Sequence, residues 1–257
     1  MTDDSSGVQG FLERHVWAEP PAPFTTWADV LATGPDYYAR TAELFSMPEM
    51  RAALPIKSRA LILVALEALV SQLEPDRLAR AIGAAVSAGA DEDELTCVLE
   101  LVSVIGLHSV SVGVPVLAEE LERAGLLDRD APYTPEQQSA VNDFEDSGPR
   151  PRPVDGMFDA IVRLDAEYFR RFGSFIDVPW NRDTLDPGFK HLICIAIDAA
   201  CTHLHVDGLH RHIREALDLE VPATQILEVI QLASLTGLRT IEIGVPLHER
   251  ARRGTGS

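Results

Sequence analysis

KHLICIAIDAACTHLHVDGLHRHIREA, residues 190–216, aligns without a gap on RALILVALEALVSQLEPDRLARAIGAA, residues 59–85, at an offset of 131. The offset holds outward from there. Leu61-Ile62 meets Leu192-Ile193, Gly106-Leu107 meets Gly237-Leu238, and Gly113-Val114-Pro115 meets Gly244-Val245-Pro246. From Trp27/Phe158 to Glu119/Arg250, 23 of 93 aligned positions are identical. Identity of that order over so long an ungapped stretch is far above chance, so the chain reads as two copies of one unit. Each copy is a control for the other. Shared residues describe a scaffold, and sharp differences mark candidate function.

Within each copy the apolar spacing is helical. Leu61, Val64, Ala65, Ala68 and Leu69 recur at three and four residues, as do Leu192, Ile195, Ala196 and Ala199. A second helix is predicted over 76–88 and again over 207–219. A third follows the acidic turn Ala90-Asp91-Glu92-Asp93-Glu94, whose carboxylates suit a helix N-terminus. Its counterpart starts at Val221-Pro222-Ala223-Thr224, with proline in a first-turn position. Gly106 and Gly237 are expected to end that helix, and Pro115 and Pro246 to start or kink a closing one. Tyr37-Tyr38 and Tyr168-Phe169 fall on an earlier helix of each copy, read as core or interface. No stretch alternates with period two. The expected class is all-α: a Pro-rich arm over 1–26, a helical repeat over 27–125, a linker over 126–155 with one short helix near 135–144, and a second repeat over 156–251.

The chain has 257 residues, a formal net charge of -18 and 46% hydrophobic residues. That charge, without a Lys/Arg cluster, argues against nucleic acid or an anionic membrane as partner. No uninterrupted run of about 18 apolar residues is visible, so no transmembrane helix is expected. MTDDSSGVQG lacks the basic-then-apolar pattern of a secretory signal. Cys97, Cys194 and Cys201 are odd in number and not at metal or redox spacing, which points to a cytoplasmic location.

Each copy resembles the carboxymuconolactone decarboxylase / alkylhydroperoxidase D family. The residues carrying this are Lys190-His191-Leu192-Ile193, Ala196, Ala199-Ala200, His212, Ala216, Val221-Pro222, Ile226, Glu228-Val229 and Gly237. The first copy matches with Arg59-Ala60-Leu61-Ile62, Ala85, Gly89-Ala90, Glu94-Leu95, Val98 and Gly106. The resemblance covers about 54–120 and 185–251. It implies an all-α fold of two tandem domains in a pseudo-twofold relation, assembled into a homo-oligomer such as a dimer or trimer of tandem chains. It also implies cofactor-free acid/base chemistry (decarboxylation, a lactone reaction or an isomerisation) on a small carbonyl or carboxylate substrate. Two departures stand out. The Cys-x-x-Cys-x-x-x-His motif of the peroxidase branch is His205, Gly208 and His212 in one copy and Glu74, Arg77 and Ala81 in the other, so dithiol peroxidase activity is not expected. The family Glu before Leu-Ile is Ala60 in one copy and His191 in the other. Two registers compete for the family histidine. The distance from Leu-Ile selects His210, whereas the downstream Ala and Val spacing selects His212, which we adopt.

Five of the eight histidines lie between His191 and His212. Their counterparts are Ala60, Gln72, Glu74, Ala79 and Ala81, so one copy alone holds these imidazoles. If the segment is continuous helix, Cys201, His205, Gly208 and His212 share a face with Asp198 at its edge, and His203 and His210 lie opposite. Imidazoles titrate near neutrality and can move a proton either way. His212 and His205 are therefore the leading acid/base candidates, with His191 and His210 as further candidates and Asp198, Asp207 or Glu215 as orienting or substrate-binding groups. Cys201, four residues before His205, is a candidate nucleophile or, with His205, a metal ligand. Seven residues separate His205 from His212 and His203 from His210, too far along a straight helix to share an ion, and no metal is assigned. The ordinary alternatives are surface roles for His203 and His210 and small buried hydrophobes for the three thiols. Arg239, where the first copy has His108, is a candidate holder of a substrate carboxylate, against an ion pair with Glu242. The competing function is a non-catalytic oligomerisation or ligand-binding module of the same fold.

Overall fold

The computed structural model describes residues 34–146 and 156–254. The expected arm, Trp17, Trp27 and the PRPRP stretch lie outside the described residues. Every regular element among those described is helical. The first half comprises α1 (Pro35–Phe45), α2 (Met47–Arg51), α3 (Ile56–Glu67), α4 (Pro75–Ser87) and α5 (Glu92–Ser103), then a 3-10 turn Val104–Leu107 and α6 (His108–Arg123). Next come α7 (Pro135–Glu145), α8 (Met157–Leu164) and α9 (Ala166–Trp180). The second half closes with α10 (Pro187–Ala199), α11 (Val206–Asp218), α12 (Ala223–Ser234), a 3-10 turn Leu235–Leu238 and α13 (Arg239–Gly254). From Ile56 onward each element of the first half begins 131 residues before one of the second.

The sequence sets the helix boundaries by local capping. Asp91 and Glu94 form a reciprocal capping box that opens α5, in the acidic turn singled out above. Thr134 and Gln137 do the same for α7. Glu74, Asp165 and Asp186 accept backbone N–H groups at the starts of α4, α9 and α10. Gly89 and its counterpart Glu220 both adopt positive φ, 90° and 61°, after their helices. Glycine takes that conformation freely, while glutamate bears steric strain in it. Pro115 and Pro246 stand inside α6 and α13 rather than at their starts. The 3-10 turns precede them and contain Gly106 and Gly237.

The two central helices α3 and α10 lie against each other and are nearly all buried. Each packs on the second and third helices of its own half and on the third helix of the other: α3 against α12, α10 against α5. One continuous apolar core results, from Leu61, Ile62 and Val64 to Leu192, Ile193 and Ile195. Cross-half polar contacts pin it. Buried Arg59 donates to Glu228 at 2.8 Å, and Glu228 also accepts the Leu54 backbone N–H at 3.0 Å. Lys190, the counterpart of Arg59, donates to the Trp180 carbonyl at 2.9 Å. The expected linker helix α7 is part of the packed body. With α8 and α9 it builds a second apolar cluster around Phe169, Phe172 and Met157 that abuts Val110 and Val114 of α6.

One sequence expectation is corrected. Residues Glu92–Arg123 form a continuous helical run of 32 residues, long and apolar enough by length and composition to cross a membrane. Ser, Gly and His interrupt the apolar string without adding charge, which hid the run in the sequence. Its inner side packs on α8, α9 and α10, while Val112, Val116 and Leu117 are exposed.

Candidate active site

Helix α10 ends at Ala199 and α11 starts at Val206, so the histidine-rich segment is not one helix. Residues 200–205 form a tight turn in which Leu204 takes φ 45°, a strained conformation for a branched side chain. The turn folds back on α10, with the His205 backbone N–H donating to the Asp198 carbonyl at 3.0 Å. The break redistributes the predicted residues. His205 and His212 still reach one cavity, but from the start and the middle of α11.

That cavity has a volume of about 80 Å³ and draws on both halves. Leu101, Val104, Ile105 and His108 contribute from α5, the 3-10 turn and α6. Phe158, Phe172 and Trp180 come from α8 and α9, and Cys194, Asp198, His205, Arg211 and His212 from the second half. The lining is mostly apolar with a few convergent polar groups, the usual make-up of a small-molecule site.

A chain of polar contacts runs from the cavity into the core. The Arg211 guanidinium lies 3.4 Å from His212 Nε2, His212 Nδ1 lies 3.0 Å from His191 Nδ1, and His191 Nε2 lies 3.4 Å from Glu215 Oε2. A guanidinium only donates, so His212 Nε2 accepts. His212 Nδ1 then carries the proton and donates to His191 Nδ1, and His191 Nε2–H points at Glu215. Trp180 closes the other side, parallel to the His212 ring at 6.3 Å and 4.7 Å from His191. Burial, reinforced by the Arg211 charge, pushes His212 well below its ordinary value and His191 down to about 4. Both rings are therefore neutral at pH 7.

A second cluster forms the adjacent wall. His108 stacks on His203 and tilts against His205, with ring centroids 4.8 and 4.2 Å away. His108 Nδ1 and His203 Nε2 are 2.7 Å apart. Asp198 Oδ1 lies 3.8 Å from His203 Nε2 and 3.6 Å from His205 Nδ1. Burial, followed by the neighbouring imidazoles, lowers His108 to about 3, and burial lowers His203.

Four predicted residues fall elsewhere. Cys201 is exposed on the turn, its sulfur 3.3 Å from Thr236 Oγ1, and is no partner for His205. His210 and Asp207 are exposed on α11; His210, two residues from His212, points to the opposite side of the helix, as helical spacing predicts. Arg239 serves the other half, donating to the Gln72 carbonyl at 2.6 Å and to Glu67. The Glu242 side chain lies outside the described residues. His203, read as a surface residue, belongs to the second cluster. Cys97 and Cys194 are buried or partly buried thiols that burial pushes up.

The sequence missed His108, Arg211 and Trp180. The available signal was that His108 replaces its counterpart Arg239; nothing local marked the other two.

The chain is similar to a solved structure from Burkholderia xenovorans LB400 described as a gamma-carboxymuconolactone decarboxylase subunit. Identity is 34%, 99% of each chain is covered, and the TM-score is 0.85. This chain belongs to the carboxymuconolactone decarboxylase-like family. No family profile and no curated protein matches it. His212 lines the cavity and His210 does not. His191 touches His212 through a ring nitrogen.

Proposed function

We propose that the protein catalyses proton transfer on a small carbonyl or carboxylate substrate, of the kind needed for decarboxylation, a lactone reaction or an isomerisation. The carrying observation is the Arg211–His212–His191–Glu215 chain opening on a mostly apolar cavity. Arg211 holds the substrate carboxylate, the role expected of Arg239. Drawn to that anion, it frees His212 Nε2, which takes a proton from the carbon next to the carbonyl. His212 then passes Nδ1–H to His191 Nδ1, and His191 passes Nε2–H to Glu215, so the site charge moves away from the substrate. The same relay in reverse returns the proton. The low dielectric of the cavity keeps both imidazoles neutral and ready to accept.

The reading includes two tandem copies. Recurrence of element boundaries at the sequence offset supports it, as does a contact between counterparts: Ser71 and Thr202 hydroxyls are 2.8 Å apart, a meeting expected only beside a local twofold. It also includes a homo-oligomer, supported by exposed apolar residues at matching positions of the closing helices, Val112 with Ile243 and Val116 with Leu247. Unpaired thiols fit a cytoplasmic location.

The test is deuterium exchange next to the carbonyl, and carbon dioxide release, over a set of small oxo acids and carboxylated lactones. Wild type is expected to turn over one class. His212→Ala is expected to lose on the order of 10²–10⁴-fold in rate, the usual worth of a positioned acid/base group. Arg211→Met is expected to raise KM for the carboxylate. An unchanged rate in His212→Ala sinks the proposal.

A further inference from the structure

The second cluster gains meaning when set beside its counterpart 131 residues away. Asp198, His203, His205 and Gly208 correspond to Glu67, Gln72, Glu74 and Arg77, and His108 corresponds to Arg239. In the first half, the buried Glu67 carboxylate is satisfied by fixed cations. Arg77 donates to both its oxygens at 3.0 and 3.1 Å, and Arg239 donates as well. In the second half both guanidiniums are gone. Gly208 stands in place of Arg77 and His108 in place of Arg239. A carboxylate only 2% exposed is left facing three imidazoles.

Its environment is unfinished. Asp198 Oδ2 and His205 Nδ1 are buried with no hydrogen-bond partner. A buried carboxylate without a compensating charge is destabilised by several kcal/mol, so such groups are normally paired or bind metal. Space has also been kept clear there. A Cβ on Gly208 would come within 2.2 Å of Asp198 Oδ2 and 2.4 Å of His205 Nδ1, the same two atoms.

We propose that His108, Asp198, His203 and His205 form a binding site for a divalent transition-metal ion, with zinc the best fit. One ligand atom from each lies within 4.8 Å of all the others. Zinc–ligand bonds of about 2.0–2.1 Å place tetrahedral ligand atoms about 3.3 Å apart. The observed separations of 2.7, 3.6 and 3.8 Å bracket that value. Three imidazole nitrogens and one carboxylate oxygen suit zinc, iron(II) or nickel(II). Calcium and magnesium want more oxygen ligands, and copper(I) prefers sulfur. At 2.7 Å, one of His108 Nδ1 and His203 Nε2 donates its N–H to the other; for both to face an ion, that ring takes its other tautomer, with the proton on its far nitrogen, so neutral rings bind without net proton release. The strained Leu204 backbone gains a reason, since it lets His203 and His205, two residues apart, both turn toward Asp198. Because His108 comes from the first half, the ion would also tie the two halves together.

This site shares the cavity wall with the proton-transfer residues but does not rest on that reading, and its test is binding rather than turnover. Full-length protein without a histidine tag is stripped with chelator, then titrated with zinc chloride by calorimetry and with cobalt(II) by visible absorption. The expected result is one ion per chain, the d–d band of a four-coordinate cobalt, and a rise in Tm on adding zinc. His108→Ala and His203→Ala should each weaken affinity at least tenfold, with helical content unchanged by circular dichroism. His210→Ala, outside the cluster, should bind as wild type. If substitution at His108 or His203 prevents folding, Asp198→Asn serves with the same expected loss. No saturable binding by wild type, or equal binding by wild type and His108→Ala, overturns the proposal. Loss of metal binding with His212-dependent exchange intact, or the reverse, separates the two assignments.

Discussion

Two residues show how far a single side chain reaches in this protein. His191 aligns with Ala60 at the offset of 131, and it lies with His212 between Trp180, Arg211 and Glu215. Its protonation is depressed by burial first and by Arg211 second, and the pH dependence of stability follows in sign. Above about pH 6.5 the ring is neutral both folded and unfolded, and its contribution is fully present. As pH falls from 6.5 toward 4, the unfolded chain takes up a proton that the folded chain refuses, so stability is lost across that window. The expected loss is on the order of 3 kcal/mol from this group, with His212 acting in the same direction. Urea midpoints between pH 7.5 and 4, with chelator present, measure it, and a flat profile contradicts buried neutral imidazoles. Gly208 is the second case. In the sequence it was only a departure from a cysteine motif. In the structure its missing side chain is what leaves room beside Asp198, where Arg77 fills the corresponding space.

Helices and their ends were the most legible level. Apolar spacing, the acidic capping turn and the first-turn prolines were sufficient to place α3 to α5 and α10 to α12, because those signals act within a few residues. The path of the chain through 200–205, between two helices that the sequence did separate, was not legible. No proline or glycine marks its start, and what bends the chain is tertiary: Asp198 receives the His205 backbone N–H while α11 packs back along α10. One element contact offers a sharp test. Glu228 of α12 meets Arg59 of α3 and the Leu54 N–H, all within the core. Glu228→Ala leaves an unpaired buried guanidinium and is expected to cost about 3–5 kcal/mol. Chemical denaturation measures this, and a cost below 1 kcal/mol would mean that water or another anion reaches Arg59.

Across the whole molecule, the two halves share one core, and the candidate site uses both. Trp180, Phe158 and Phe172 precede the second half's central helix, while Leu101, Val104 and His108 come from the first half. The exposed apolar residues of α6 and α13 set the expectation for assembly. Light scattering on the purified protein should give a mass above that of one chain. Val116→Glu combined with Leu247→Glu should lower the mass to that of a single chain, since neither residue lines the cavity. A wild-type mass equal to one chain removes the assembly reading.

The sequence by itself determined the all-α class and the family, and it carried the self-alignment at an offset of 131. Each of these is written in local periodicity or in residues repeated at a fixed offset. Only the tertiary structure decided which polar residues meet. His108 lies 95 positions from His203, yet their ring nitrogens are 2.7 Å apart, and Arg239, conspicuous in the alignment, was drawn to Glu67 in the opposite half. The physical reason is that helix formation answers to neighbours three and four residues away. The partners of a buried charge are chosen by the packing of helices across the core, and no linear spacing records that choice.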